Sequence, residues 1–365
     1  MQQCHPRGKL QVMAMHEDWN RFLDETVPPA LRNDVPGENE IGLEAARTGG
    51  FICDLSTYAL VSVLGPDAET FLQGQLSNDV TSLATSRAQL ASYNTPKGRM
   101  LACVMLWRTQ NGYRVQFSES IAAPFIKRLS MFVMRSKVKI TDVSAQTVRF
   151  GLGGPNAEEC LRAAGLACPA SDYDVIRTPD DDGPDESLVI KLPGSRYELV
   201  YAQAQAAIRD WRRLAASAVL STAAPWRWLG VRSGIAEIEA ATQDKYVPQM
   251  VNLELVGGIS FTKGCYPGQE IVARTQYRGE IKRRMLLAHI EAGITPTLGQ
   301  EVVTATAPAQ TVGSVVNCAP APGGGYDALI CIHLDLAHNA SLHLGTSDGP
   351  ALELLPLPYS LPQAL

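Results

Sequence analysis

The sequence lacks the patterns that most often identify an enzyme class from residues alone. It contains no phosphate-binding loop of the GxxxxGK[ST] type, no GxGxxG after a strand, no GxSxG turn and no HExxH helix. Its eight cysteines include no CxxC pair, which argues against a zinc ribbon, a disulfide scaffold or a locally encoded metal cluster. These absences exclude the common nucleotide-binding, esterase and zinc-peptidase classes, and no metal site is expected.

Long apolar runs are also missing. No stretch approaches the roughly 18 apolar residues of a membrane-crossing helix. The first twenty residues carry His16, Glu17 and Asp18 where an export signal needs an apolar core. The formal net charge is -5, so the overall balance gives no reason to expect nucleic acid as a partner. We therefore expect a cytoplasmic protein without a membrane partner. A monomer is expected, because every amphipathic helix has an obvious place in a core.

A short pattern occurs twice in the chain. GPDAETFL begins at residue 65 and GPNAEECL begins at residue 154, each after a strand-like run. The repeat predicts an internal duplication into two α+β halves that lay helices on antiparallel sheets. The alternative is that Gly-Pro-Asx-Ala-Glu is simply a favourable way to begin a helix.

Changes of composition along the chain predict its domains. Residues 1–45 contain a short helix-like run and then several breakers, and are expected to form a peripheral N-terminal extension. Residues 46–145 and 146–280 are expected to be the two α+β domains, the second interwoven with the first. Residues 281–365 consist of short strand-like runs between Pro and Gly, which predicts a small C-terminal β-barrel.

Several elements inside these domains follow from hydrophobic periodicity. Strands are predicted at residues 100–107, 113–117, 188–192 and 196–201, and helices at residues 121–134 and 202–216. The first two strands read as a hairpin across Asn111-Gly112, a dipeptide that tolerates the positive φ angles of a type I′ turn.

The stretch KGCYPGQE, residues 263–270, places one cysteine in a loop with two glycines and a proline. Together with residues 271–284 it carries a local excess of Lys and Arg in an acidic protein. Such a patch suits an anionic ligand or RNA phosphates, and the alternative is a solvated surface strand. The neighbouring cations would stabilise a thiolate at Cys265, although a free cysteine is more often a small buried hydrophobe.

A second turn has a similar composition. SYNTPKGRM, residues 92–100, places Lys97, Gly98 and Arg99 directly before a predicted strand. Two Lys-Gly turns from different halves of the chain could converge on one anion.

These residues resemble a known family. GGISFTKGCYPGQEIVAR at 257–274, followed by YRG and KRR, is similar to the signature of the YgfZ-type folate-binding proteins, relatives of the glycine-cleavage aminomethyltransferase. FLQGQLSNDV, PKGRM, LGVRSGI and YVPQMVNLELVGGISF extend the match over roughly residues 50–290. The resemblance implies the α+β fold of the aminomethyltransferase, a three-domain ring with two antiparallel halves, a C-terminal barrel and tetrahydrofolate in a central channel.

The resemblance also implies a function and a set of site residues. The function is that of a tetrahydrofolate-binding accessory protein for assembly or repair of iron–sulfur clusters, with client enzymes that include radical enzymes methylthiolating tRNA. Partners would be a folate and iron–sulfur client proteins, with tRNA at most indirectly. Cys265 is carried over as the reactive thiol. The residues carried over for folate binding are Lys263, Tyr266, Gln269, Glu270 and Arg278, together with Arg232 and Asn78.

Two departures from the true aminomethyltransferase argue against one-carbon transfer. The position of its essential aspartate pair aligns with Ala102 and Cys103, and its folate-contacting acidic segment reads Arg232-Ser233. Without a carboxylate, a folate nitrogen is neither oriented nor relieved of its proton in the same way. The alternatives are a folate-dependent one-carbon transferase and a direct tRNA binder that uses the basic stretch 263–284.

Overall fold

The computed structural model describes residues 7–32, 39–178, 187–278, 281–305, 310–337 and 341–362. The chain divides into two compact units, of which the first comprises residues 1–62 and 141–226 and the second comprises residues 63–140 and 227–365. Because the chain passes from one unit to the other three times, neither unit is continuous in sequence. The domain boundaries expected near residues 45, 145 and 280 stay a prediction.

The helices of the described ranges vary from one turn to five turns. They are α1 (Arg7–Thr26), α2 (Pro29–Arg32), α3 (Glu40–Thr48), α4 (Ala68–Gln73), α5 (Ala122–Met131), α6 (Ala157–Ala163), α7 (Ala204–Leu214), α8 (Ala224–Arg232), α9 (Gln269–Arg278) and α10 (Leu334–Ala337), with 3₁₀ turns at Glu119–Ile121, Ser144–Gln146 and Pro248–Val251. In these ranges, none of the helices has the length and apolar character that a membrane crossing demands.

The strands of the described ranges are mostly short. They are β1 (Phe51–Asp54), β2 (Tyr58–Leu64), β3 (Ala88–Asn94), β4 (Met100–Thr109), β5 (Gly112–Ser118), β6 (Lys139–Asp142), β7 (Val148–Gly153), β8 (Val175–Arg177), β9 (Leu188–Leu192), β10 (Arg196–Tyr201), β11 (Val219–Leu220), β12 (Arg283–Ile290), β13 (Glu301–Thr304), β14 (Thr311–Pro320), β15 (Tyr326–His333), β16 (Leu342–Leu344) and β17 (Leu352–Leu355). Every strand and helix predicted above by periodicity is present.

The first unit is built on a six-stranded sheet in the order β11-β1-β7-β10-β9-β8. Its pairs are antiparallel except for β1 with β11. The buried apolar faces of β7 and β10 meet helices α1, α6 and α7 in one hydrophobic core. Helices laid on an antiparallel sheet are the arrangement that the sequence predicts for each half.

Helix α1 belongs to this core. Trp19 is 2% exposed, and its ring centroid lies 5.4 Å from that of Trp211 and 5.9 Å from that of Phe150. Phe22 is buried beside it. Trp19, Phe22 and Leu23 have the i, i+3, i+4 spacing of one helix face, and that face packs against the sheet of the first unit. The assignment of residues 1–45 as an N-terminal extension stays a prediction.

The second unit contains the antiparallel meander β3-β4-β5. The β4–β5 hairpin is confirmed, but its turn differs from the predicted one. Thr109 pairs with Gly112, so Gln110 and Asn111 form the turn, and neither has a positive φ. Gly112 instead begins β5 at φ 154°, where a Cβ would come within 2.2 Å of the Val63 carbonyl oxygen. The glycine is needed for this close approach and not for a type I′ turn.

The C-terminal strands of the second unit form a six-stranded antiparallel sheet in the order β16-β13-β14-β15-β12-β17. The sheet curls so that His343 of the edge strand β16 forms a bridge with Ala351, the residue before the other edge strand, β17. The predicted small barrel is therefore present as a curled antiparallel sheet, and the predicted α+β class with antiparallel sheets is confirmed.

The repeated sequence pattern also repeats in backbone geometry. Gly65 and Gly154 both follow a strand and have φ angles of 125° and 102°. Asp67 (φ -98°, ψ 6°) and Asn156 (φ -93°, ψ 5°) then occupy matching positions before α4 and α6. A positive φ at a glycine is a stronger requirement than helix preference alone, so the two copies share a turn and not only a helix start.

Candidate functional site

Lys263 begins the KGCYPGQE loop as a buried cation. It is 8% exposed, and its Nζ donates to three main-chain carbonyls, those of Gln73 (2.7 Å), Leu76 (2.6 Å) and Asn78 (2.8 Å). Burial lowers the pKa of Lys263 to about 8, and the charge of Asp79 opposes that shift. All three N–H groups of the ammonium are therefore used inside the protein, and they fix the KGCYPGQE loop to residues 73–78.

The side-chain amide of Asn78 reinforces the same junction. Its Nδ2 donates to the carbonyls of Leu90 (2.7 Å) and Gly257 (2.8 Å), and its Oδ1 accepts from the N–H of Asp79 (2.9 Å). Both amide protons and the oxygen are thus engaged. Lys263 and Asn78, two residues carried over for folate binding, act in this structure as anchors of the backbone around the site.

The two Lys-Gly turns predicted to converge do lie together. A Cβ on Gly268 would come within 2.5 Å of Gly98 Cα and of the Thr95 carbonyl oxygen, and a Cβ on Gly98 would come within 2.9 Å of Ile271 Cβ. Both glycines have positive φ, 79° and 73°. The TPKGR turn after β3 therefore packs against the first turn of α9, and Lys97 is exposed on it.

Asn94, the last residue of β3, sits at this junction with an unusual environment. It is 1% exposed, and within the described residues neither its Nδ2 nor its Oδ1 has a hydrogen-bond partner. A buried amide without partners is expensive, roughly 1–3 kcal/mol, and calls for an explanation such as a ligand. Sequence reasoning missed Asn94. The available signal is its place as a polar residue at the buried end of a strand, directly before the TPKGR turn.

The other residues of the KGCYPGQE loop differ from one another in exposure. Cys265 is exposed, which contradicts the alternative of a buried packing thiol. Tyr266 is 7% exposed, and burial raises its pKa to about 12. Gln269 is half-buried and Glu270 is exposed in the first turn of α9. Arg278 ends the same helix, but its side chain lies outside the described part of the chain.

Arg232, at the end of α8, contacts a buried carboxylate. Its Nη1 lies 3.5 Å from Oδ2 of Asp327 in β15. The same Oδ2 accepts from the indole N–H of Trp228 (2.8 Å), and Oδ1 lies 2.8 Å from Nδ1 of His289. Arg232 thus already has an anionic partner. With 39% of its side chain exposed it still offers N–H groups to solvent or a ligand.

Two cations of the basic stretch 263–284, Lys263 and Arg284, are buried. Arg284 pairs with Glu254, its Nη1 also donates to the Gln249 carbonyl (3.0 Å), and both charged side chains are almost fully buried. Burial raises the pKa of Glu254, and the Arg284 guanidinium opposes that rise. With Lys263 held on carbonyls as well, the surface of this stretch is less basic than its sequence indicates.

The positions that align with the transferase's aspartates lie on β4 and are buried. Ala102 is fully buried, and Cys103 is 8% exposed. Burial raises the pKa of the Cys103 thiol to about 12, and the charge of Glu237 adds to the rise. Within the described residues, no group of His, Cys, Asp and Glu side chains is arranged to hold a metal ion.

The fold defined by these elements is that of an aminomethyltransferase. The structure matches the glycine cleavage system aminomethyltransferase T from Bartonella henselae with a TM-score of 0.72, over 87% of this chain and 88% of that chain, at 16% identity. Residues 32–175 match the family model described as the GCVT N-terminal domain. At this identity the structural likeness shows the fold alone.

Two relatives show the family. The tRNA-modifying protein YgfZ of Edwardsiella ictaluri (strain 93-146) is 31% identical over 310 residues, which cover 85% of this chain and 92% of that protein. The protein of the same name from Shigella sonnei (strain Ss046) is 29% identical over 318 residues, which cover 87% and 95%. This chain belongs to the YgfZ family, and the family predicted from its sequence is confirmed.

Proposed function

We propose that this protein binds tetrahydrofolate or a related reduced folate in its second unit, and that it serves iron–sulfur enzymes, including enzymes that modify tRNA. Membership of the YgfZ family, whose two relatives above carry the name tRNA-modifying protein, supports the biological context. The observation that supports a bound ligand is the environment of Asn94, a buried amide whose donor and acceptor both lack a hydrogen-bond partner within the described residues.

The residues around Asn94 fit a folate. The pterin edge is a donor and acceptor array, which an amide can match with both of its atoms. The glutamate tail is anionic and needs a cation. Lys97 on the TPKGR turn and Arg274 on α9 are both exposed and close in sequence to the two touching glycines. Arg232 remains a candidate through its exposed N–H groups.

The other predicted site residues take different roles in this proposal. Lys263 and Asn78 hold the backbone in place, and Tyr266 supports the loop from its buried side. Gln269, Glu270 and Arg278 remain proposed ligand contacts on α9. A bound reduced folate supplies a carrier of one-carbon units, while Cys265 supplies an exposed thiol on the same loop. We propose Cys265 as the reactive group, with Lys263 fixing the start of the loop that presents it.

Calorimetric titration with tetrahydrofolate and 5-formyl-tetrahydrofolate tests the ligand. Wild type should bind saturably. Asn94→Leu should bind at least about tenfold more weakly, because the pterin loses its partner. The same variant should keep or gain thermal stability without ligand, because an unpaired buried amide is removed. Cys265→Ala should bind as wild type does. Absence of saturable binding to wild type would overturn the proposal.

The thiol is tested separately in cells. A strain that lacks the protein and shows reduced activity of an iron–sulfur tRNA-modifying enzyme should be rescued by wild type and by Cys168→Ala, whose thiol is half-buried in the first unit. Cys265→Ala should fail to rescue at equal protein abundance. Full rescue by Cys265→Ala would remove the thiol from the proposal and leave folate binding untouched.

A further inference from the structure

A second basic surface lies on the second unit, at the end of α5 and in the chain that follows it. We call it the α5 patch. Its members are the exposed cations Lys127, Arg135, Lys137 and Lys139, the half-buried Arg128, and the exposed apolar residues Met131, Phe132 and Met134. The sequence carries no Asp or Glu between Glu119 and Asp142. Five positive charges in thirteen residues stand out in a chain whose net charge is -5.

The apolar members of the α5 patch are held outward. Met131 is 60% exposed, Phe132 is 41% exposed and Met134 is 87% exposed. Met134 has a φ of 40°, which residues with a side chain seldom adopt. The Arg128 guanidinium lies 5.9 Å from the centroid of the Phe132 ring. An exposed aromatic ring beside an arginine, in a segment rich in cations, is a combination that suits binding to a partner.

Asp67 is an acidic neighbour of the patch that bonds its main chain and not its ammonium groups. Asp67 contacts this segment, and its carboxylate accepts the main-chain N–H of Lys137 at 2.7 Å. That contact fixes the backbone of the segment and leaves the Lys137 ammonium exposed. The patch therefore presents positive charge on a backbone that is held in place.

The α5 patch is a better polyanion surface than the basic stretch 263–284. In that stretch Lys263 is buried and donates to main-chain carbonyls, and Arg284 is buried and pairs with Glu254. Its exposed cations include Arg274, Lys282 and Arg283, and the sequence interleaves them with Glu270 and Glu280. A segment with five cations and no acid attracts phosphates more strongly than one with mixed charge.

We propose that the α5 patch binds RNA, with its lysines and arginines on phosphates and the Phe132 ring stacked on a base of an unpaired loop. Backbone-tracking cations beside an aromatic platform are the chemistry with which proteins hold single-stranded nucleic acid. The inference extends the proposed function, whose tRNA context it uses, and gives the protein a direct contact with RNA in place of an indirect one.

The test measures binding of an unmodified, fluorescein-labelled tRNA transcript by fluorescence anisotropy over a series of salt concentrations. The test variant changes Lys127, Arg135 and Lys137 to Gln. The matched control changes Arg274, Lys282 and Arg283 to Gln, so that both variants lose three exposed cations and the same net charge. Phe132→Ala is measured alongside them.

Wild type should bind with a dissociation constant on the order of micromolar, and the logarithm of its affinity should fall steeply with the logarithm of salt concentration. In the test variant the magnitude of that slope should be smaller by about 2, since each phosphate contact on a single strand contributes about 0.7 and the variant removes three cations. The control should keep the wild-type slope. Phe132→Ala should bind roughly tenfold more weakly at an unchanged slope, because stacking carries no charge.

Three outcomes would overturn the inference: no tRNA binding by wild type, equal losses in the test and control variants, or equal binding of tRNA and of a heparin fragment of matched charge with no effect of Phe132→Ala. Loss of cellular rescue by the test variant without any tRNA binding would assign the patch to an acidic protein partner instead. Folate titration of the test variant separates this result from the proposed function, because it should give wild-type affinity.

Discussion

The most informative single residue is Lys263. From sequence it reads as a cation for an anionic ligand, because it lies next to Cys265 in a glycine-rich loop. In the structure its three donors all go to main-chain carbonyls of residues 73–78. The sequence predicts that a cation is needed at this position, but the distant segment on which it acts is about 190 residues away and becomes visible only in the fold.

Lys263 should leave a signature in the pH dependence of stability. Its pKa is about 8 when folded and 10.5 when free. Between these values the unfolded chain holds a proton that the folded chain has released, so the free energy of unfolding should rise with pH over this window relative to Lys263→Met. Below pH 8 the difference between the two proteins should be flat. Urea unfolding of both proteins from pH 7 to pH 10 measures the difference, and the opposite slope would contradict the assignment.

At the scale of elements, periodicity predicts the regular parts of the chain well. The β4–β5 hairpin, the β9–β10 pair and the short C-terminal strands all occur where apolar alternation places them. It succeeds there because these strands are short apolar runs bounded by turn residues, and several of them, such as β5 and β10, are buried along almost their whole length. It does not show that the first unit covers Trp19 and Phe22 of α1, or that the apolar run at the end of α5 is exposed. Periodicity shows that a face is apolar but cannot show whether the protein covers it.

The glycine contact between the TPKGR turn and α9 gives a prediction at the same scale. Gly268→Ala should destabilise the protein by at least about 1–2 kcal/mol, because φ is 79° and a Cβ would meet Gly98 and Thr95. It should also weaken folate binding by displacing the loop from Asn94. Gly264→Ala, in the same loop with open space around its Cβ, is the matched control and should change stability by under about 0.5 kcal/mol. Equal effects of the two changes on urea unfolding would refute the contact.

At the scale of the whole molecule, the core of the second unit decides which parts unfold together. One hydrophobic cluster joins Met100 of β4, Val231 of α8 and Val272 of α9 with Leu329 of the C-terminal sheet. A barrel expected from sequence to be a separate domain therefore shares its core with earlier parts of the same unit. Composition changes near residue 280 mark a change of secondary structure, and they carry no information about which apolar faces meet.

Leu329→Ala tests this shared core. The side chain is fully buried, so its loss should lower the free energy of unfolding by roughly 2–5 kcal/mol. Because Leu329 and Met100 lie in one cluster, hydrogen exchange should speed up at the amides of β4 as well as of β15. Leu199→Ala in the core of the first unit serves as the comparison. Faster exchange confined to the C-terminal sheet would show that this sheet opens independently.

The three passages of the chain between its units set an order of events during synthesis. The first unit needs residues 141–226 to complete the sheet that residues 1–62 begin, and the second unit needs the last strands of the chain. On a ribosome that makes about 5–20 residues per second, the chain from Trp19 of α1 to the end of β10 takes roughly 10–40 seconds to be made. The nascent chain therefore carries the uncovered apolar face of α1 for about half of its synthesis, and a chaperone that binds apolar helix faces would act in this interval.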